Sequence, residues 1–250
     1  MLNTKSSLNI AIIGAGPGGL TLALCLSNHV NIKITIFEKD KDHRIKSPYK
    51  PSRSYSVDIT GHGSKVIHYL KMNEKFDQCL LKFKGVIAGI PFTTSLVKVP
   101  YENGDGWTGS RGDICKVLLE ELLERNHNVN ILFKTKATVL DINEGKLQYE
   151  DNADHKIIEE QFDFIVAADG AGSEVRDLME KSAYITVDRS DVKASCRMIE
   201  FDQNTNDLYP NYLYVISSPP HPAIVGAING PLGSDTTINI YIYIYIFNLK

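Results

Sequence analysis

A short stretch near the start of the chain, NIAIIGAGPGGLTLALCL, constrains the fold more than any other part of the sequence. Gly14, Gly16 and Gly19 stand there in the spacing G-x-G-x-x-G, after an apolar run and at the start of a segment with helical character. Such a glycine pattern between a strand and a helix is typical of dinucleotide sites, in which backbone amides and the helix N-terminus receive a pyrophosphate. The stretch predicts a βαβ nucleotide-binding unit and is compatible with FAD, NAD or NADP.

An acidic residue follows the second strand of this unit. Residues 33–37 predict that strand, and Glu38 comes directly after it in ITIFEKD. In dinucleotide-binding folds an acidic side chain at this position takes the ribose hydroxyls. Since a carboxylate would repel a 2′-phosphate, Glu38 favours FAD or NAD at this site. A glycine-rich loop without a ligand is the alternative interpretation of the first motif.

Strands alternate with helices in the first part of the chain, and strands dominate the last part. This order predicts an α/β fold in which a Rossmann-like, dinucleotide-binding domain is joined to a partial second β-sheet domain. We expect residues 8–80 and 102–182 to form the discontinuous first domain. Residues 81–101 and 183–235 then form the partial sheet of a substrate domain.

The end of the chain has an unusual pattern. INIYIYIYIFNLK repeats Tyr-Ile three times, and an uncharged segment of high β-propensity is typical of aggregation-prone strands. An alternating T and A repeat read in frame encodes the same dipeptide. We therefore interpret residues 236–250 as an aberrant tail, left by intron read-through or a frameshift.

Composition narrows the function classes. The chain has 250 residues, 43% of them hydrophobic and 23% charged, which is typical of one large or two small globular domains. The net charge of -3 and the lack of a long basic run argue against nucleic-acid binding. The four cysteines form no C-x-x-C pair and the histidines lack metal-ligand spacing, so no metal site and no disulfide framework are expected.

The cysteines and the apolar stretches also bear on location. Widely spaced, reduced thiols predict a cytoplasmic protein. The apolar stretch over residues 10–26 is too glycine-rich and slightly too short for a membrane span, so no membrane segment is expected in this chain.

Two further motifs connect the chain to a known family. FDFIVAADGAGSEVR contains Ala-Asp-Gly after a predicted buried strand, with Asp169 at its centre, and ends at Arg176. GSRGDICKVLL places Arg111 at the start of a helix. With the first glycine motif, these resemble the flavin-dependent aromatic hydroxylases (class A flavoprotein monooxygenases), and within them the kynurenine 3-monooxygenases, over residues 9 to 230.

The resemblance implies FAD as the cofactor of a Rossmann-like FAD-binding domain, and it implies where each part of FAD would lie. Asp58 and Arg53 fall where the family's chain passes near the flavin, and Arg176 would orient the loop that follows Asp169. The cofactor-binding residues that the resemblance implies are Gly14, Gly16, Gly18 and Gly19 at the pyrophosphate, Glu38 and its neighbour Lys39 at the adenosine ribose, Ala137 beside the adenine, Arg53, Arg111 at the pyrophosphate or ribityl chain, and Asp169 with Gly170 in a loop shared by FAD and the nicotinamide donor.

The resemblance also implies a reaction. NADPH or NADH reduces FAD as a transient electron donor, and O2 supplies one oxygen atom to a small aromatic substrate. Tyr101 in VPYENG matches a tyrosine that holds the substrate carboxylate in the kynurenine-specific branch. The matching arginine position is Gly85, so only the adjacent Lys84 could pair with a carboxylate, without the bidentate geometry of arginine. No catalytic residue is identified.

One departure from the family supports a different interpretation. The family's later Gly-Asp signature, which precedes a long helix and forms one wall of the flavin site, is absent from this sequence. In this second interpretation, the chain is a truncated, catalytically inactive FAD-binding fragment. Another FAD or NAD oxidoreductase on the same scaffold is a third possibility, although the single Trp107 argues against a tryptophan-rich halogenase. A full-length relative could also associate with the mitochondrial outer membrane.

Overall fold

The computed structural model divides the chain into two units. The described residues are 7–45, 56–89, 95–100, 106–125, 128–190, 194–201, 209, 211–217, 223–229 and 240–247. The first unit comprises Met1–Ser47 and Cys115–Arg189, and the second comprises Pro48–Ile114 and Ser190–Lys250. None of the helices within these described ranges is both long and apolar enough to cross a bilayer.

A four-stranded parallel sheet is the framework of the first unit. Helix α1 (Pro17–Leu26) connects the first two strands in chain order, as the glycine motif predicts. Parallel neighbours need such a crossover connection, because a tight hairpin cannot join them. In the order β12-β1-β2-β8, the strands are β12 (Phe164–Ala167), β1 (Leu8–Ile13), β2 (Ile32–Glu38) and β8 (Val129–Phe133).

An antiparallel three-stranded sheet packs against this framework. It comprises β9 (Thr138–Asp141), β10 (Lys146–Glu150) and β11 (Ile157–Gln161), and the turn at residues 142–145 joins β9 to β10 as expected. Helix α5 (Glu174–Lys181) follows β12. The two sheets share a hydrophobic core cluster of Ala11, Phe37, Ala137, Leu147 and Phe162.

The position of β12 corrects one expectation from the sequence. FDFIVA predicts a buried strand, but β12 lies at the edge of the described parallel sheet, and 57% of Phe164 is exposed. Strands of parallel sheets are apolar on both faces. The composition of such a strand therefore does not reveal whether it lies in the middle of the sheet or at its edge.

The described residues of the second unit form two sheets and two short helices. Its smaller sheet has the order β3-β7-β4, and the larger has the order β13-β16-β15-β14-β5-β6. The elements are β3 (Ser56–Ile59), α2 (His62–Tyr69), α3 (Asn73–Cys79), β4 (Leu81–Phe83), β5 (Gly85–Gly89), β6 (Leu96–Pro100), β7 (Gly106–Ser110), β13 (Ala194–Phe201), β14 (Tyr212–Ser217), β15 (Ala223–Asn229) and β16 (Ile240–Phe247).

Helix α4 (Arg111–Arg125) follows β7 and begins with the expected capping box. The Ser110 hydroxyl accepts the Asp113 N–H at 3.0 Å and donates to the Asp113 carboxylate at 2.6 Å. This satisfies one of the amide groups that a helix start leaves without an intrahelical partner. The reciprocal bond differs from the usual box, since the acidic side chain binds the serine hydroxyl and not its backbone.

The contacts assign residues 56–80 and 106–114 to the second unit. Antiparallel pairing explains this grouping, because β7 is bonded to β3 on one side and to β4 on the other. The described part of the tail, residues 240–247, is strand β16, which pairs antiparallel with both β13 and β15.

Candidate functional site

The glycine loop lies at the carboxyl end of β1, where α1 begins. Gly16 is the N-cap residue of α1 and Pro17 occupies the first turn, where no acidic side chain is present. The first amide groups of a helix have no intrahelical acceptor, and the helix dipole adds partial positive charge there. Because proline lacks an N–H, the amides of Gly16, Gly18 and Gly19 are those that an anion could bind.

Two of the glycines are required by close packing. A Cβ atom at Gly14 would lie 2.8 Å from the carbonyl carbon of Ala168, and its φ of 106° disfavours other residues. A Cβ at Gly19 would overlap the carbonyl oxygen of Gly14 and lie 3.2 Å from Cγ2 of Ile12. These contacts hold the start of α1 close to the loop that leaves β1.

Gly18 differs from these two glycines. It is exposed, and a Cβ atom built on it would meet no other atom within 4 Å. Packing within the protein therefore does not require glycine here. The open space in front of the first turn of α1 is what a phosphate group approaching the backbone needs.

Glu38 at the carboxyl end of β2 faces this loop. Its carboxylate is only 6% exposed and accepts two backbone hydrogen bonds, from the N–H of Ala15 and from the N–H of Asp40, each at 2.8 Å. An ionised carboxylate offers about four acceptor positions. Glu38 is thus fixed in place by the backbone and keeps acceptor capacity for a sugar hydroxyl.

The loop after β8 is tied to the same edge of the sheet. The N–H of Thr135 donates to the carbonyl oxygen of Glu38 at 2.8 Å, and the Asn152 amide donates to the Phe133 carbonyl at 2.9 Å and to the Thr135 hydroxyl at 2.8 Å. Ala137 follows on this loop, but it is part of the hydrophobic core cluster. Any contact of Ala137 with an adenine ring would therefore use its backbone.

The Ala-Asp-Gly motif lies directly beside the glycine loop. The N–H of Ala168 donates to the carbonyl oxygen of Ile13 at 2.8 Å, because β12 pairs with β1. The carboxylate of Asp169 accepts the Glu174 N–H at 2.9 Å with Oδ2, at the start of α5. Its Oδ1 is buried and has no hydrogen-bond partner within the described residues. A buried acceptor of this kind carries an energetic penalty unless a ligand or water supplies a donor.

The turn after Asp169 is open and left-handed. Gly170 has a φ of 82°, and a Cβ atom on it would meet nothing within 4 Å. Arg176 donates to the carbonyl oxygen of Ala171 at 2.9 Å and pairs with Asp177 at 3.2 Å. The guanidinium thus holds this turn, while its Nε is buried without a partner in the part of the chain that the structure describes.

Three further residues implied by the family have exposed side chains in the described part of the chain. Lys39 is exposed next to Glu38, whereas Arg111 and Lys84 are exposed in the second unit. The backbone N–H of Lys84 donates to the Asn211 carbonyl at 2.9 Å. Arg53 and Tyr101 lie outside the described residues.

Trp107 and Asp58 lie on the paired strands β7 and β3 of the second unit. The Trp107 indole donates to Asp77 at 2.8 Å and packs against Phe76. Asp58 stands opposite Thr108 in the pairing of β3 with β7, and burial raises the pKa of the Asp58 carboxyl.

Sequence patterns miss one residue of the site. The histidines have no motif in the sequence, yet His43 Nε2 lies 2.8 Å from the carbonyl oxygen of Ala15, inside the glycine loop. No local signal predicts this contact, because it depends on how the chain turns back after β2.

Two solved structures of FAD-dependent proteins share this fold. PqsL, a probable FAD-dependent monooxygenase from Pseudomonas aeruginosa, superposes with a TM-score of 0.64 at 13% identity and covers 96% of this chain and 61% of that one. The myxobacterial chondrochloren halogenase CndH, an FAD-dependent halogenase, superposes with a TM-score of 0.69 at 13% identity over 98% of this chain and 54% of its own. The likeness confirms the Rossmann-like α/β fold expected from the sequence.

Two relatives with similar sequences are kynurenine 3-monooxygenases. Kynurenine 3-monooxygenase from Stenotrophomonas maltophilia is 25% identical over 198 residues, which are 78% of this chain and 42% of the relative. The Candida albicans kynurenine 3-monooxygenase is 28% identical over 187 residues, 73% of this chain and 40% of the relative. The chain thus spans about two fifths of the length of these relatives. The family model of the pyridine nucleotide-disulphide oxidoreductases matches residues 8–227, and the chain, which has the glycine loop and the acidic residue of a dinucleotide site, belongs to that family.

Proposed function

We propose that this chain binds FAD and forms the cofactor-binding part of an NAD(P)H-consuming monooxygenase that hydroxylates a small aromatic substrate. One observation carries the proposal: the carboxyl ends of β1, β2 and β12 bring together the first turn of α1, the Glu38 carboxylate and the open turn at Asp169. Ligands of open parallel sheets bind at this edge. The kynurenine 3-monooxygenase relatives support this type of reaction.

The residues present fit FAD. The amides of Gly16, Gly18 and Gly19 would receive the pyrophosphate, and the open space at Gly18 leaves room for it. Glu38 would accept the hydroxyls of the adenosine ribose with its remaining lone pairs. The unpartnered Oδ1 of Asp169 would take a hydroxyl of the ribityl chain or of the nicotinamide donor.

The bound flavin would supply the redox chemistry, since no side chain can pass electrons from NAD(P)H to O2. Overall, one NAD(P)H, one proton and one O2 convert an aromatic C–H into C–OH, and the second oxygen atom leaves as water. The role of this chain in that scheme is to bind and orient FAD. Arg53 and Arg111 are proposed as further contacts to FAD, and Lys84 and Tyr101 as contacts to a substrate carboxylate, on the resemblance to the family.

The missing Gly-Asp signature favours a second candidate function. The alternative is a chain that binds FAD and has no hydroxylase activity of its own. FAD binding is common to both candidates, and only turnover separates them.

The proposed function is tested with the purified chain. Fluorescence titration with FAD is expected to show saturable binding, and Glu38→Gln is expected to weaken it by roughly 10- to 100-fold, since a charge-assisted hydrogen bond is lost. Glu144→Gln, in the exposed turn between β9 and β10, is the matched control and is expected to bind as the wild type does.

Turnover is measured on the same preparation. NAD(P)H oxidation and O2 uptake stimulated by kynurenine, with a hydroxylated product, support the monooxygenase. Binding of FAD without stimulated oxidation supports the alternative. A folded wild-type chain that does not bind FAD contradicts both candidates.

A further inference from the structure

Ala15, which lies between the first two glycines of the loop, has both backbone groups held by side chains from one segment. Its N–H donates to Glu38 Oε2 at 2.8 Å, and His43 Nε2 lies 2.8 Å from its carbonyl oxygen. Because a carbonyl oxygen can only accept, Nε2 of His43 must carry the proton in this contact. Two consecutive peptide groups of the glycine loop are therefore oriented by Glu38, the last residue of β2, and by His43, which comes after that strand.

The orientation of the Ala15 carbonyl determines that of the next amide. In a trans peptide the C=O of one residue and the N–H of the following residue point in opposite directions. A carbonyl of Ala15 that is bound to His43 therefore directs the N–H of Gly16 away from His43. Gly16 is the N-cap of α1, so its N–H belongs to the group of amides proposed above for the pyrophosphate.

Further hydrogen bonds hold the segment that carries His43. Asp40 donates its N–H to Glu38 Oε1 at 2.8 Å and accepts the Lys134 N–H at 2.9 Å, while the Asp42 carboxylate accepts the Arg44 N–H at 2.9 Å.

The imidazole ring itself is also restrained. It is half-buried and stands edge-on to the Phe133 ring, with 6.3 Å between ring centroids. A side chain restrained in this way loses little further freedom when it bonds, which favours a positioning role.

We propose that His43 is a positioning residue of the dinucleotide site: by holding the Ala15 carbonyl, it aims the Gly16 amide at the diphosphate of the cofactor. His43 does not itself touch the ligand. The inference rests on the proposed function, and it extends that function to a residue that the glycine motif and the acidic residue do not include.

The experiment compares ligands that differ in their phosphates. Wild type, His43→Ala and His43→Gln are titrated with FAD, ADP and adenosine, and the melting temperature of each ligand-free variant is recorded. His43→Ala is expected to lose roughly 5- to 10-fold in affinity for FAD and for ADP, as for one hydrogen bond, and to bind adenosine as before. His43→Gln is expected to recover part of the loss, since its amide can donate to the carbonyl.

A matched control is available on the same unit. His155→Ala removes an exposed histidine that pairs with Glu150 near the antiparallel sheet, and it is expected to change none of the three affinities. Unchanged binding of FAD and ADP by His43→Ala would overturn the inference while leaving the proposed function intact. Equal losses for all three ligands, or no recovery with glutamine, would likewise overturn it. A wild-type chain that binds neither FAD nor ADP would overturn the proposed function, and the inference with it.

Discussion

Gly14 and Ala168 are in direct backbone contact, so closely that a Cβ atom on Gly14 would lie 2.8 Å from the carbonyl carbon of Ala168. The two residues directly follow neighbouring strands, β1 and β12, whose pairing is parallel. The glycine motif and the Ala-Asp-Gly motif are therefore packed on one another as parts of one site. A change on either side of this contact must disturb the other.

Gly14→Ala is expected to lower the free energy of unfolding by about 2 to 4 kcal/mol, because the added methyl group combines a left-handed backbone with overlap of the Ala168 backbone. Chemical denaturation followed by circular dichroism measures this loss. Gly18→Ala is the control, since its methyl group meets nothing in the described structure. We expect its stability to be unchanged or raised by up to about 1 kcal/mol, and equal losses for the two variants would contradict the packing argument.

Asp58 gives a prediction about pH. Burial raises the pKa of its carboxyl above the ordinary value of 3.8, so the folded chain holds this proton more tightly than the unfolded chain. The contribution of Asp58 to stability therefore falls as the pH rises above 3.8. Asp58→Asn is expected to be more stable than the wild type at pH 7, with an advantage that shrinks as the pH falls towards 4.

Urea denaturation at several pH values measures this difference. Asp154→Asn is the comparison with the opposite sign, because a hydrogen bond from Lys156 lowers the pKa of the exposed Asp154 carboxyl. An Asp58→Asn variant less stable than the wild type at pH 7 would show that the ionised carboxylate has a favourable partner.

Ser173→Ala is expected to destabilise the chain by about 1 kcal/mol, because the Ser173 hydroxyl accepts the Arg176 N–H at 3.0 Å at the start of α5. Thermal unfolding monitors the loss. Ser173→Gly is the matched variant, since glycine is a good N-cap and its cost is a few tenths of a kcal/mol. If alanine and glycine cost the same, the hydroxyl does not act as a cap.

Strand β16 gives a prediction about the tail. Residue 243 lies opposite Met198 on β13 and opposite Gly226 on β15, so its backbone is inside the six-stranded sheet. Tyr243→Pro removes an N–H from the ladder, and each carbonyl left without a partner costs about 1 to 3 kcal/mol. Limited proteolysis is expected to cleave this variant faster within residues 194–229, whereas Tyr243→Thr, which keeps the N–H, is expected to resist. Equal resistance of both variants would show that the tail is not part of the sheet.

Local patterns determined a large part of this fold. The apolar run, the glycines and the helical segment that follow one another at residues 9–26 are enough for β1, the loop and α1, because strand, turn and helix preferences act within a few residues. Glu38 could be placed at the end of β2 for the same reason. The N-cap of α4 at Ser110 could also be identified, since capping depends on spacing alone.

Only the tertiary structure decided how these pieces meet. Strand β12 lies at an edge of its sheet, and residues 56–59 pair with residues 106–110. Local hydrophobic periodicity in the sequence predicts neither arrangement. The same holds for the contact of Gly14 with Ala168 and for that of His43 with Ala15. Each contact joins two segments that are distant in sequence, and the local pattern of either segment does not predict the other. The sequence alone thus determined the candidate residues for dinucleotide binding, and long-range strand pairing decided which of these candidates lie next to one another.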